Sequence, residues 1–238
     1  MKALLYIVAI AAGLLYALRS AASGAAEGAK LLSEPITPID VPKFSALDRL
    51  SPAFVRGLIA GLQRIGMDPI GVLAVIQHET GGHTRERRAE NWIDGKLVAA
   101  GLIQFLGSTA QKLGTTTADI AKMSDVEQLP YVLAFYERFG ARAFPSMKGR
   151  WTPAQTLRLT FYPSSVGKDP SYVIAKKDDR PSSDDPAEVK RAKFSALVYA
   201  QNAGMDRNKD GLITASDVDG DAERIVSAAR ARGMVHYG

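Results

Sequence analysis

An apolar segment that ends on an acid constrains this chain more than any other feature. From Asp68-Pro69 the sequence runs through Ile70, Val72, Leu73, Val75 and Ile76 to Gln77-His78-Glu79-Thr80, where it meets Gly81-Gly82. Asp before Pro is a helix start: the carboxylate caps the first turn, and proline gives up an N–H that would have no partner there. The glycine pair ends the helix. Apolar residues cover most of its circumference, so it has to lie at the centre with the remaining chain packed around it. Glu79 then falls on the last turn, at the partly negative end of the helix dipole, where a carboxylate gains nothing from its location. Apolar neighbours disfavour the charged form and raise the pKa. A carboxyl tuned in this way can act as a general acid near neutral pH. The competing reading is a solvated side chain at a frayed helix end.

Other start and stop signals are helical too. Ser51-Pro52 opens a run of Phe54, Val55, Leu58, Ile59, Leu62 and Ile65 at helical spacing, and Gly66 closes it. Ser124-Asp125-Val126-Glu127 is a capping box ahead of a helix through Phe139, with a kink expected at Pro130. Tyr131, Phe135 and Tyr136 give that helix an aromatic face that reads as core. Thr152-Pro153 opens a helix ending at Tyr162-Pro163, and residues 187–199 read as another. The pattern predicts a mainly α fold. Residues 85–95 are polar and read as a loop holding Asn91, Trp92 and Asp94. Trp92 has two readings, a platform for a sugar ring or ordinary core packing. Gly101-Leu102-Ile103-Gln104-Phe105 is apolar except for Gln104, an amide that either bonds backbone or faces a ligand.

At 238 residues the chain can bury a real core as one domain, or as one with an appendage. The net charge of +5 suits an anionic polymer or a membrane surface. No Lys/Arg run is interleaved with aromatics, so no nucleic-acid partner is expected. The absence of cysteine excludes disulfides and thiolate sites. After Met1-Lys2, residues 3–18 carry no charge, and Arg19 follows. As a helix that run would be about 24 Å long. Residues 1–19 are either a signal peptide or a retained membrane anchor, and the two readings stay open. Residues 20–48, rich in Ala, Gly, Ser and Pro, read as a tether. Residues 49–186 form the expected helical domain, and 187–238 a helix–loop–helix packed on it. His78 and His83 lie five apart with glycines between, which does not fit a zinc helix with its pair four apart.

The run from Asp206 to Asp217 matches the EF-hand pattern at positions 1, 3, 5, 6, 8 and 12. Alternate oxygen side chains converge on a hard cation, with Gly211 at the turn and Ile213 facing inward. The expected ligands are Asp206, Asn208, Asp210, the Leu212 carbonyl, Thr214 (directly or through water) and Asp217, holding a structural Ca²⁺. Asp in place of Glu at position 12 shortens the last arm and weakens binding.

The order Glu79-Thr80-Gly81-Gly82, then Gly101-Leu102-Ile103-Gln104-Phe105, then Ser108-Thr109-Ala110, then Leu113-Gly114 resembles the lysozyme-like lytic transglycosylases over roughly Ser51 to Asp217. The later Tyr162-Pro163-Ser164-Ser165-Val166-Gly167 makes it similar to cell-wall-degrading proteins of phages. The resemblance implies a lysozyme-like helical domain, with the single EF-hand-like loop appended to it and the N-terminal apolar segment ahead of it. It implies Glu79 as catalytic acid, Gly101, Leu102, Ile103, Gln104 and Phe105 along a sugar cleft near Asn91 and Trp92, and a hydrogen bond from Tyr162 to Glu79. The family's Ala-Tyr-Asn-Ala-Gly around that tyrosine is not kept here. The implied reaction is cleavage of the MurNAc-β-1,4-GlcNAc bond of peptidoglycan to a 1,6-anhydromuramic end, with no catalytic cofactor. The implied setting is a membrane-anchored or exported protein of the cell wall, with other virion proteins as partners. A muramidase would need a second carboxylate, for which Asp94 is the candidate. A glycan-binding structural protein of a virion or export machine is the non-enzymatic alternative.

Overall fold

The structure, a computed structural model, describes residues 35–81, 90–93 and 95–238. The N-terminal apolar segment, the tether to residue 34, His83 and Asp94 lie outside the described residues. Among those described, no helix is long and apolar enough to cross a membrane. The fold is mainly helical, with small antiparallel sheets.

Strand β1 (Ile39–Pro42) pairs with the C-terminal strand and leads into a 3₁₀ turn at Ser45–Asp48. Helix α1 spans Pro52–Ile65, and α2 spans Pro69–Thr80. Strands β2 (Glu90–Ile93), β3 (Lys96–Ala100) and β4 (Phe105–Leu106) make a three-stranded antiparallel sheet. Short helices α3 (Gly107–Lys112) and α4 (Thr117–Ile120) follow. Helix α5 (Asp125–Phe135) passes through Pro130 and gives way at Tyr136–Ala141 to a π turn. Helix α6 is Pro153–Phe161. Strand β5 (Val173–Lys176) precedes helix α7 (Pro186–Gln201), strand β6 (Leu212–Thr214), helix α8 (Ala215–Ala231) and strand β7 (Met234–Tyr237).

Helix α2 is the centre, as its composition requires. Val72, Leu73, Ala74, Val75 and Ile76 are all buried. Asp68 caps its start by accepting from the Ile70 N–H at 2.9 Å. Gly81 ends it with φ 61°, a left-handed conformation that glycine adopts without strain. Helix α6 runs against α2 so closely that a Cβ on Gly71 would come within 2.5 Å of Thr156 Oγ1. Helix α8 packs on both α2 and α6. Near its far end α2 also carries Gln77, whose Oε1 accepts from Ser45 Oγ at 2.8 Å and from the Ala46 N–H at 3.0 Å. The expected tether therefore does not run to Asp48. From Ile39 the chain is ordered, and Val41, Phe44 and Ala46 are buried because these apolar side chains have a helix to cover.

The C-terminal segment is fused to this core. Arg158 of α6 is 1% exposed, and its guanidinium binds Asp219 of α8, with Nε to Oδ1 at 2.6 Å. The same guanidinium donates to the Ser165 carbonyl at 3.1 Å and the Lys168 carbonyl at 2.8 Å. Removing Asp219 leaves a buried cation without a counter-charge, which costs far more than losing an exposed pair. Asp219→Asn is expected to lower unfolding free energy by about 3 kcal/mol, read by denaturant titration. Asp48→Asn, which breaks the half-exposed pair with Arg232, is expected to cost under about 0.5 kcal/mol. Equal losses in both would contradict this assignment.

Candidate active site

Glu79 stands on the last turn of α2. Its side chain is half-buried, and among the described residues no cation or hydrogen-bond donor reaches its carboxylate. Burial alone pushes the carboxyl up to about 7, because the charged form loses water and gains no partner. A carboxyl in this state exchanges its proton near neutrality and can act as acid and then base.

The tyrosine that feels this charge is Tyr136. It opens the π turn at the end of α5 and is wholly buried. Burial pushes its phenol above the usual range, and the Glu79 charge adds to that shift. Its hydroxyl lies 3.1 Å from Thr160 Oγ1, which itself donates to the Thr156 carbonyl at 3.2 Å. Both threonines belong to α6. π turns cluster at functional sites because the extra residue re-aims a side chain. Tyr162 behaves differently from expectation. It caps the C-terminus of α6 with φ −149° and ψ 86°, already off the helical path, and no hydrogen bond joins its hydroxyl to Glu79. Its carbonyl instead accepts from Ser165 Oγ at 2.7 Å.

The segment read as a sugar-facing run is a tight turn between β3 and β4. Leu102, Ile103 and Phe105 are buried in the core, as is Gly101, and only Gln104 keeps partial exposure. Of the segment expected along a cleft, the Leu102, Ile103 and Phe105 side chains pack inward against the core, which leaves Gln104 as the partly exposed side chain. Gly101 has φ 86° and Gln104 has φ 51°, left-handed at both ends. The Gln104 N–H and its Nε2 both donate to the Gly101 carbonyl at 3.1 Å. Phe105 meets Phe135 edge-on at 6.3 Å, and Phe135 meets Tyr136 edge-on at 5.1 Å. One line of rings therefore joins the turn to the neighbourhood of Glu79.

Residues 90–93 are a strand, where a loop was expected. Asn91 is exposed, and Trp92 is 55% exposed, so the core-packing reading of Trp92 fails. Trp92 Nε1 donates to Glu90 Oε2 at 2.9 Å. That bond steadies an open indole, the kind of face on which a sugar ring stacks.

The loop after α7 is folded around Asp206, which is 5% exposed. Its Oδ2 accepts from Tyr199 Oη at 2.5 Å and from the Gly211 N–H at 3.0 Å. Asp210 accepts from the Leu212 N–H at 2.8 Å and from Asn208 Nδ2 at 2.9 Å. Gly211 makes the turn at φ 84°, and Ile213 is buried. Asp217 is turned to the helix cap, where Oδ2 accepts from the Thr214 N–H at 2.8 Å and from Thr214 Oγ1 at 2.6 Å. Among the described residues, no group of three or more His, Cys, Asp or Glu side chains is gathered as a metal site. The oxygen donor set and the buried first Asp suit a hard cation, but Asp217 and Thr214 bond each other rather than facing the loop centre. The loop strand β6 pairs with β5, Ala175 opposite Ile213 and Lys176 opposite Leu212. Strand β6 is thus bonded to the helical domain.

Arg207 of this loop donates to buried Asp221 of α8 at 2.6 Å, and Arg224 approaches the same oxygen at 3.4 Å. His78, next to Glu79, lies in the field of both Asp221 and Arg224, while burial holds its pKa below the ordinary value. Sequence reasoning missed Tyr136 as anything but core, and it missed Gln128, whose buried amide holds the turn at Gly101. A signal for both existed. Gln128 sits seven residues before Phe135, on the same apolar face, and an amide there must find partners.

No family model, curated protein or solved structure matches this chain.

The raised Glu79 carboxyl makes a prediction about stability. Its folded pKa of about 7 lies above the ordinary 4.5. Between those values the folded state holds a proton that the unfolded state has lost, so stability falls as pH rises through that window. Above it the penalty is constant, at roughly 3 kcal/mol. Glu79→Gln removes the penalty. The variant is expected to melt several degrees above the parent at pH 8 and level with it near pH 4, as measured by calorimetry. Equal melts at pH 8 would contradict the buried carboxyl.

Proposed function

We propose that this chain is a peptidoglycan lytic transglycosylase with a lysozyme-like helical domain, acting on the bond between N-acetylmuramic acid and N-acetylglucosamine. The observation that carries the reading is Glu79: a carboxyl whose pKa burial lifts to about 7, at the end of the central helix. The ordered turn at Gln104 and the open Trp92 support a glycan as substrate. Protonated Glu79 gives its proton to the glycosidic oxygen as the C1–O bond breaks, and the bonding electrons leave with that oxygen. Positive charge builds on the anomeric centre. Glu79, now a carboxylate, takes the proton of the muramic C6 hydroxyl while that oxygen bonds C1 and closes the 1,6-anhydro ring. One carboxyl does both jobs, and a pKa near the working pH serves each. Tyr136 fits the site in place of the tyrosine expected at 162: buried and protonated, it stands near where the Glu79 charge rises and falls.

The reading extends to the rest of the chain. The loop from Asp206 to Asp217 would hold Ca²⁺ through Asp206, Asn208, Asp210, the Leu212 carbonyl, Thr214 and Asp217. Its charge would hold the start of α8 against the domain. The apolar segment before the tether supports a setting at a membrane, or across one in the cell wall. The likeness to phage proteins points to virion partners.

Glu79→Gln is expected to lose at least about a thousandfold of the release of soluble muropeptides from purified sacculi, as general acid catalysis and its base step are both removed, with circular dichroism unchanged. Near-normal release with an intact fold would refute the assignment. Calcium in hundredfold excess over its dissociation constant is expected to raise stability by about 2.7 kcal/mol, and Asp206→Asn to abolish that gain in thermal melts.

A further inference from the structure

The turn from Gly101 to Gln104 costs energy to hold, since left-handed backbone at Gln104, a residue with a Cβ, is strained at φ 51°. Something outside the turn has to pin it. The Gln128 side chain is fully buried beneath it. Gln128 Oε1 accepts from the Leu102 N–H at 2.9 Å, and Gln128 Nε2 donates to the Met123 carbonyl at 3.2 Å. The fit is tight: a Cβ on Gly101 would lie 2.6 Å from Gln128 Oε1 and 2.5 Å from the Ile120 side chain. The other end of the turn is pinned from the same helix, by Phe105 against Phe135. Helix α5 thus fixes both ends of the turn and then carries on into the π turn with Tyr136.

We propose that Gln128 is a positioning residue for glycan binding: its buried amide holds the Gly101–Gln104 turn in the strained shape that presents Gln104 and the turn backbone to the sugar chain. This rests on the transglycosylase reading of the site. The amide is needed because its bonds to Leu102 and Met123 have opposite polarity. One atom must accept from Leu102 and the other must donate to Met123. A carboxylate can do only the first, while a protonated carboxyl, with the same shape, can do both.

That chemistry supplies the test. Binding of an N-acetylglucosamine hexamer is measured by calorimetry in the Glu79→Gln background, which removes cleavage and the Glu79 titration together. Adding Gln128→Leu is expected to weaken binding about tenfold or more, from the orphaned Leu102 N–H and the relaxed turn. Adding Gln128→Glu is expected to weaken it similarly at pH 8, where the carboxylate faces the Met123 carbonyl. At pH 5, where burial keeps that carboxyl protonated, affinity is expected to return to within about twofold of the Glu79→Gln parent at the same pH. A merely structural role would move the melting temperature but not produce this pH-dependent rescue well below the melt. Should Gln128→Leu fail to fold, the Gln128→Glu pair of measurements stands alone. Affinity of Gln128→Glu equal to the parent at both pH values, or low at both in a folded protein, overturns the proposal. Absence of hexamer binding by the Glu79→Gln parent itself overturns the glycan reading, and this inference with it.

Discussion

A half-buried carboxyl with no partner among the described residues, at the end of a buried helix, destabilises the protein whenever it ionises, and the surrounding structure has to keep it there. Glu79 has no compensating cation or donor among the described residues, so its place depends on the rigidity of α2. That helix is held along its length. Its buried apolar side chains fill the core, Gly71 lets α6 approach closely, and Gln77 ties down the 3₁₀ turn that follows β1. Stability spent at one group is a common signature of a working site.

The braces converge on α8, which begins at the candidate calcium loop. Within its first turns, Asp217 caps the helix, Asp219 binds Arg158 of α6, and Asp221 binds Arg207 of the loop. Arg158 in turn holds the carbonyls of Ser165 and Lys168, just past Tyr162. The C-terminal segment is therefore part of the scaffold of the site. Its strand β6 pairs with β5 of the helical domain. On the other side, α5 pins the Gly101–Gln104 turn and delivers Tyr136, so one helix spaces that turn from the acid.

Where local chemistry decides structure, the sequence was legible. The caps at Ser51, Asp68, Ser124 and Thr152 all accept from backbone N–H groups as their residue types require, and Gly66 and Gly81 end their helices in left-handed conformations. The core position of α2 and the raised Glu79 followed from its unbroken apolar run. What depends on tertiary partners was not legible. The strand at residues 90–93 forms against β3 in a stretch whose polarity reads as loop. Ile39 to Asp48 orders because α2 and β7 offer it partners. Tyr136 and Tyr162 could not be ranked from spacing, since a π turn re-aims the first and an extended cap diverts the second. The ligand pattern from Asp206 to Asp217 is clear in sequence, yet the pairing of Thr214 with Asp217 is a local competition that the pattern does not reveal.

The central claim is that a single carboxyl, first acid and then base, cleaves the glycan without water. Mass spectrometry of peptidoglycan digested by the protein tests it most directly. The account predicts muropeptides ending in 1,6-anhydromuramic acid. Products with reducing muramic ends, heavier by one water, would contradict it and require a second carboxylate.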